Sequence, residues 1–161
     1  MIPTRSDAAI GRKIGRMASD PAYRPRVLDL FAGCGGLSLG FEAAGYDIVA
    51  AVELDELAAR SHALNFCRGR SADDFERHAR PRDITVTEPH ELVEEFGLGE
   101  PCDAFDVIIG GPPCQGFSNL GRRDPNDPRN VLWREYARTL ERIRPGYFVI
   151  ENVAAFFRSP Q

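Results

Sequence analysis

Short apolar runs alternate with stretches in which apolar residues recur every three or four positions, a pattern that predicts strands joined by helices. Five strands are predicted, at residues 27–31, 48–52, 83–86, 106–109 and 147–150. Gly45 closes a helix over 37–44. Asp55 caps a second, with Leu57, Ser61 and Leu64 on one face. Thr87 and Pro89 open a third, which buries Leu92, Val93 and Phe96 and stops at Gly97. Leu132, Tyr136, Leu140 and Ile143 form the apolar stripe of a fourth, ended by Pro145 and Gly146. Residues 68–82 are polar and read as irregular surface, and 115–130 read as a loop. Residues 1–25 read as a partly ordered lead in which Ile10, Ile14 and Met17 suit a small amphipathic helix.

Strand and helix in alternation predict an open parallel α/β sheet, and right-handed crossovers give it the order 3-2-1-4-5. Ligands in such sheets bind at the carboxyl ends of the strands, where the strand order reverses. Strands 1 and 4 are neighbours at that point. The turn after strand 1 and the turn after strand 4 are therefore expected to share one crevice, with Glu151 leaving strand 5 beside it.

The turn after strand 1 reads Asp29-Leu-Phe-Ala-Gly-Cys-Gly-Gly36. Its glycines let backbone approach a ligand closely, and it opens onto a helix N-terminus with positive partial charge. Glu53, at the end of strand 2, is placed to accept ribose hydroxyls. The glycine spacing is not the GxGxxG of dinucleotide enzymes, which disfavours an NAD-dependent oxidoreductase. After strand 4 comes GGPPCQGFS, residues 110–118. Pro112 and Pro113 hold the chain extended and aim Cys114 into the crevice, where a fixed thiolate near positive charge would be nucleophilic. Cys34, Cys67 and Cys102 read as structural cysteines.

The chain has 161 residues, 43% of them hydrophobic and 27% charged, enough for one domain with a real core. No secretory signal or long apolar run is visible, so a cytoplasmic protein with reduced thiols is expected. The four cysteines form no CxxC pair and are not grouped with histidine, so no metal site is expected. The net charge of −4 argues against a generally basic nucleic-acid binder, but the charge is uneven. Arg122, Arg123, Arg129, Arg134, Arg138, Arg142 and Arg144 outnumber the acids around them; a salt-bridged helix face is the preferred reading, contact with phosphates the alternative.

Taken together, DLFAGCGGLSLGFEAAG, VELDELA with HALNF, RDI at 82–84, GGPPCQGFS, DPRN at 127–130 and ENV at 151–153 resemble the motifs of the cytosine-5 DNA methyltransferase family. The resemblance runs from about Val27 to Val153. It implies a Rossmann-like class I methyltransferase fold, S-adenosylmethionine as cofactor and double-stranded DNA as partner. Cys114 would add to C6 of a flipped cytosine while Glu151 holds a proton at N3. Asp29, Phe31, Ala32, Gly33, Gly35, Gly36, Leu37, Leu54 and Pro112 would line the cofactor site, with Glu53 at the ribose and Asp83 and Ile84 at the adenine. Pro113, Gln115, Gly116, Ser118, Asn152 and Val153 would meet the substrate. The family's later strands, target-recognition domain and returning cofactor segment are not among these residues. The expectation is therefore a lead over 1–25 and a partial catalytic domain over 26–161, either half of a split enzyme with a complementary chain or a fragment. A tRNA cytosine-5 methyltransferase and a non-catalytic cofactor-binding subunit are the alternatives.

Overall fold

The computed structural model describes residues 5–113 and 132–153. Four parallel strands, β1 (Arg26–Leu30), β2 (Asp47–Val52), β3 (Val107–Gly110) and β4 (Tyr147–Ile150), form one sheet in the order β2-β1-β3-β4. They are connected and covered by α1 (Arg5–Ser19), α2 (Gly36–Ala43), α3 (Glu56–Phe66), α4 (Ala72–Ala79), α5 (Pro89–Glu95), the single turn α6 (Pro101–Ala104) and α7 (Leu132–Ile143). The chain builds β2 on one side of β1 and β3 on the other, which puts the switch point between β1 and β3.

Alternation along the strands divides the core into two layers. Leu28, Leu30 and Ile108 face α5 and α7 through Leu92, Val93, Tyr136 and Ile143. Val27, Val107 and Ile109 face the other way, toward Phe66 of α3 and Leu37 and Phe41 of α2. Because Val27 pairs with Ile48 and Leu28 with Ala50, Val49 is an extra residue in β2. His78 of α4 lies 3.0 Å from its carbonyl oxygen.

Four of the five predicted strands form, in their predicted relative order. The strand predicted at 83–86 is instead a turn. Asp83 Oδ1 accepts from the Thr85 amide at 2.8 Å and its hydroxyl at 2.7 Å, and the Asp83 carbonyl accepts from the amides of Val86 and Thr87. Local side-chain bonding of this kind offers the backbone an alternative to a ladder, and Val86 is left exposed.

Two helical expectations also change. Residues 68–82, read as irregular, contain α4, capped by the Ser71 hydroxyl on the Asp74 amide. Its inward face is only Phe75, His78 and Ala79, too little apolar surface to stand out in the pattern. In α3 the buried face is Ala59, His62, Ala63 and Phe66, while Leu57 and Leu64 point to solvent. Two alanines let that face approach closely, and the Phe66 ring lies where a side chain at Gly35 would stand.

The amphipathic helix expected near Ile10, Ile14 and Met17 is α1. It reaches the amino ends of the strands, where buried Lys13 donates from Nζ to the carbonyls of Phe105 (2.6 Å) and Arg144 (3.3 Å). Burial lowers its pKa, which nearby Asp106 partly offsets. Lys13→Met is expected to cost about 2 kcal/mol, measured by urea unfolding, because two carbonyls lose a charged donor. An unchanged midpoint would show that α1 is not tied down through this residue.

Candidate active site

Register builds the site. Val52, Leu30, Gly110 and Ile150 form one row across the sheet, so the residues that follow them, Glu53, Phe31, Gly111 and Glu151, leave the four strands side by side. Gly110 is needed where β3 meets β1, because a Cβ there would stand 2.3 Å from the Leu30 carbonyl oxygen. At Gly111, beside β4, a Cβ would stand 2.9 Å from Glu151 Oε2, so a side chain there would displace the carboxylate. The Glu151 amide donates to Gly110 O at 2.9 Å, and Asn152 Nδ2 to Pro112 O at 3.1 Å. The exits of β3 and β4 are thus fastened together.

The turn after β1 is tightly curled. Phe31 has φ 58°, uncommon for a bulky residue, and Gly33 and Gly35 also have positive φ. The Ala32 amide donates to Val52 O and the Gly35 amide to Ala32 O, and Gly35 caps α2. Glu53 locks this turn to its own: Oε2 accepts the Gly33 amide and Oε1 the Asp55 amide, both at 2.8 Å. Its remaining lone pairs stay available to a ligand's hydroxyl groups.

A cavity of about 760 Å³ opens beside this row, in the usual size range for small-molecule sites. Six expected residues line it: Phe31, Glu53, Leu54, Asp83, Ile84 and Pro113. Val52, Arg82, Thr85, Gly111 and Leu132 line it as well and were not singled out as site residues. Their signal was position: Val52 and Gly111 adjoin marked residues, Arg82 begins RDI, and Leu132 begins the last helical stripe. Ala32, Gly33, Gly35 and Gly36 form the neighbouring turn, Pro112 is buried, and Leu37 packs against the core from α2. Glu151, Asn152 and Val153 are not among the described residues that line the cavity. Cys114, Gln115, Gly116 and Ser118 lie outside the described residues. Cys34 is exposed, whereas burial pushes the Cys67 thiol up to about 11.

Asp29 lies beneath the turn rather than in the cavity wall. Its Oδ2 accepts from the Ser38 hydroxyl at 2.7 Å, and Ser38 Oγ is 3.1 Å from His62 Nε2. This buried chain links β1, α2 and α3 behind the glycines. Burial, with a contribution from Glu53, raises the Asp29 carboxyl to about 7 against the opposing bonds from Ser38, and burial lowers His62 to about 4.

The cavity chemistry suits a nucleoside without phosphates. Phe31, Val52, Ile84 and Leu132 offer an apolar slot, and Glu53 and Asp83 offer carboxylates to hydroxyl and amino groups. Arg82 is the basic wall residue, but its guanidinium is already held by Glu95 Oε1 and the carbonyls of Arg77 and Arg80. An anionic wall of this kind opposes a pyrophosphate and favours a positively charged sulfonium.

Comparison with known proteins agrees. The C-5 cytosine-specific DNA methylase family matches over residues 25–161. Type II methyltransferase M.XorII of Xanthomonas oryzae pv. oryzae is 42% identical over 130 residues, 81% of this chain and 28% of that protein. Type II methyltransferase M.DdeI of Desulfomicrobium norvegicum is 39% identical over 127 residues, 79% of this chain and 27% of that protein. A protein described as a DNA modification methyltransferase encoded within an E. coli prophage superposes with a TM-score of 0.62 at 38% identity, covering 80% of this chain and 32% of its own. The chain therefore spans about a third or less of the length of each. The parallel sheet is that of a Rossmann-like methyltransferase, and the family's methyl donor is S-adenosylmethionine. With its motif order, its crevice and these relatives all in agreement, the chain belongs to the C-5 cytosine-specific DNA methylase family.

Proposed function

We propose that residues 26–161 form the cofactor-binding and nucleophile-bearing part of a DNA (cytosine-5-)-methyltransferase, preceded by a lead over 1–25. The observation that carries the reading is that Glu53, Phe31, Gly111 and Glu151 leave the four strands in one row, the first three of them lining one 760 Å³ cavity. Phe31, Glu53, Leu54, Asp83 and Ile84 would hold an adenosyl group, and Gly33, Gly35 and Gly36 with the start of α2 would face its amino-acid end. When bound, S-adenosylmethionine supplies an electrophilic methyl group on a sulfonium. The chain's own residues prepare the base to receive it. The Cys114 thiolate forms a bond to C6 while Glu151 holds a proton at N3, which makes C5 nucleophilic. Once C5 is methylated, loss of its proton re-forms the C5–C6 double bond and expels Cys114.

C5 of a stacked cytosine is out of reach, so the base must leave the duplex. Pro113, Gln115, Gly116, Ser118, Asn152 and Val153 would surround it. Target recognition is proposed to come from a portion that the longer relatives carry, in the same chain or a complementary one. Tyr147, Phe148 and Val149 are exposed on β4, which lies at the sheet edge among the described residues, and leave apolar side chains on both sides of that edge for such a portion to pack against. A cytoplasmic location fits the bacterial relatives, and among the described residues no helix is long and apolar enough to cross a membrane.

Incubation with S-adenosylmethionine and duplex DNA containing 5-fluorocytosine tests the proposal, because fluorine at C5 blocks the elimination that frees the cysteine. A covalent adduct is expected on Cys114 when the remaining portion is supplied, and none with Cys114→Ala. An adduct that survives that substitution, or its absence from the complete enzyme, would refute the mechanism. The chain alone is expected to turn over poorly; ordinary enzyme rates without a second portion would refute that part.

A further inference from the structure

We infer that Arg138 of α7 is a positioning residue that fixes the cavity wall at residues 83–87 and through it sets the preference for adenine. The inference rests on the cavity being the adenosyl site.

The turn at 83–87 holds only part of itself. Asp83 Oδ1 takes both Thr85 donors, and the Asp83 carbonyl takes the Val86 and Thr87 amides and the Thr87 hydroxyl. The carbonyls of Ile84 and Thr87 face outward, and Arg138 Nη2 donates to both, at 2.9 and 3.2 Å. The guanidinium has little freedom to turn away. Its Nε donates to Glu135 Oε2 at 2.7 Å and its Nη1 to Glu88 Oε1 at 2.8 Å, so a planar group is gripped on two edges while the third meets the turn. Half-exposed ion pairs of this kind contribute little stability on their own. What they fix here is direction.

The turn is a wall and not merely a connection, since Asp83, Ile84 and Thr85 all line the cavity. Leu132, at the start of the same α7, lines it too. One helix therefore supplies part of the slot directly and sets the height of another part through Arg138. With Oδ1 committed to Thr85, the other oxygen of Asp83 is left for a ligand in the cavity that Asp83 lines, and a carboxylate oxygen accepts from the 6-amino group of adenine. Hypoxanthine has a 6-oxo group, which such an oxygen repels. Discrimination between the two bases thus reads the position of the turn, whereas general loss of stability does not move it. The sequence showed Arg138 only as one charge among seven arginines, because Glu88 and the carbonyls of Ile84 and Thr87 that it holds lie 50 or more residues away.

Binding of S-adenosylhomocysteine and S-inosylhomocysteine, followed by NMR titration into the millimolar range, tests this on the purified chain. Wild type is expected to prefer the adenosyl ligand by about tenfold or more, as sites built on a buried hydrogen bond reject analogues lacking it. Arg138→Met is expected to keep a cooperative unfolding transition but lose most of that preference. Arg138→Lys keeps the charge without the planar fork, should fold where the methionine variant does not, and should recover less than half of the preference. Wild-type discrimination in either folded variant would overturn the inference. A wild type that does not discriminate, or an Asp83→Asn variant that discriminates as well as wild type, would overturn the adenosyl reading of this wall and the inference with it.

Discussion

Gly110→Ala is expected to cost on the order of 4 kcal/mol or more, a large share of the stability of a domain this size. Gly110 ends β3 between Leu30 of β1 and Ile150 of β4, at the centre of the sheet. A Cβ would stand 2.3 Å from the Leu30 carbonyl oxygen and 3.1 Å from the carbonyl carbon and Cβ of the same residue. Relief would require the two central strands to separate at their carboxyl ends, because the obstructing atoms are mainly backbone and cannot rotate aside. Gly111→Ala is the informative companion. Its Cβ meets a carboxylate oxygen of Glu151 at 2.9 Å, the tip of a side chain that can swing away. That substitution should cost about 1 kcal/mol or less in stability while displacing the carboxylate from the site. Urea unfolding of both variants checks the contrast, and similar midpoint shifts would show that the β1–β3 approach is not the cause.

The same pair of glycines shows what was legible in the sequence. Apolar runs placed β1, β2 and β3 because strands buried on both faces are recorded as nearly continuous hydrophobic residues, and β4 carries the same kind of run although Tyr147 and Phe148 are exposed. Glu53 and Glu151 were found because each directly follows such a run. The turn at 83–87 was mistaken for a strand because Ile84 and Val86 mimic alternation, and the competing bonds of Asp83 have no periodic signature. Arg82 and Arg138 eluded the reading for a different reason. Each acts through carbonyl groups and carboxylates brought to it by the fold, and a guanidinium looks the same in a list of charges whether it meets water or a turn. The leucines of α3 misled in turn, since a helix packed through Ala59 and Ala63 hides small residues and leaves larger ones outside.

Asp29→Asn is expected to gain stability relative to wild type as pH rises from about 4 to about 7, by roughly 2 to 4 kcal/mol in all. Asp29 is 1% exposed, and its Oδ1 has no hydrogen-bond partner among the described residues. Burial, helped by Glu53, lifts its carboxyl from an ordinary 3.8 to about 7, while the Ser38 bonds oppose the shift. Across that window the folded chain keeps a proton that the unfolded chain has released. Wild-type stability from this group is therefore complete below pH 4 and lost as pH climbs through 7, at up to about 1.4 kcal/mol per unit. Asparagine does not ionise, so the variant lacks this loss. His62 acts in the opposite direction, since burial lowers it to about 4 and folding is penalised as pH falls from 6.5 toward that value. That contribution is present in both proteins and cancels from the difference between them. Urea unfolding at pH 4, 5, 6 and 7 measures the gap; parallel profiles would mean that Asp29 is ionised in the folded state. A neutral Asp29 places no charge beneath the glycine turn, which leaves Glu53 and Asp83 as the carboxylates that act on whatever occupies the cavity.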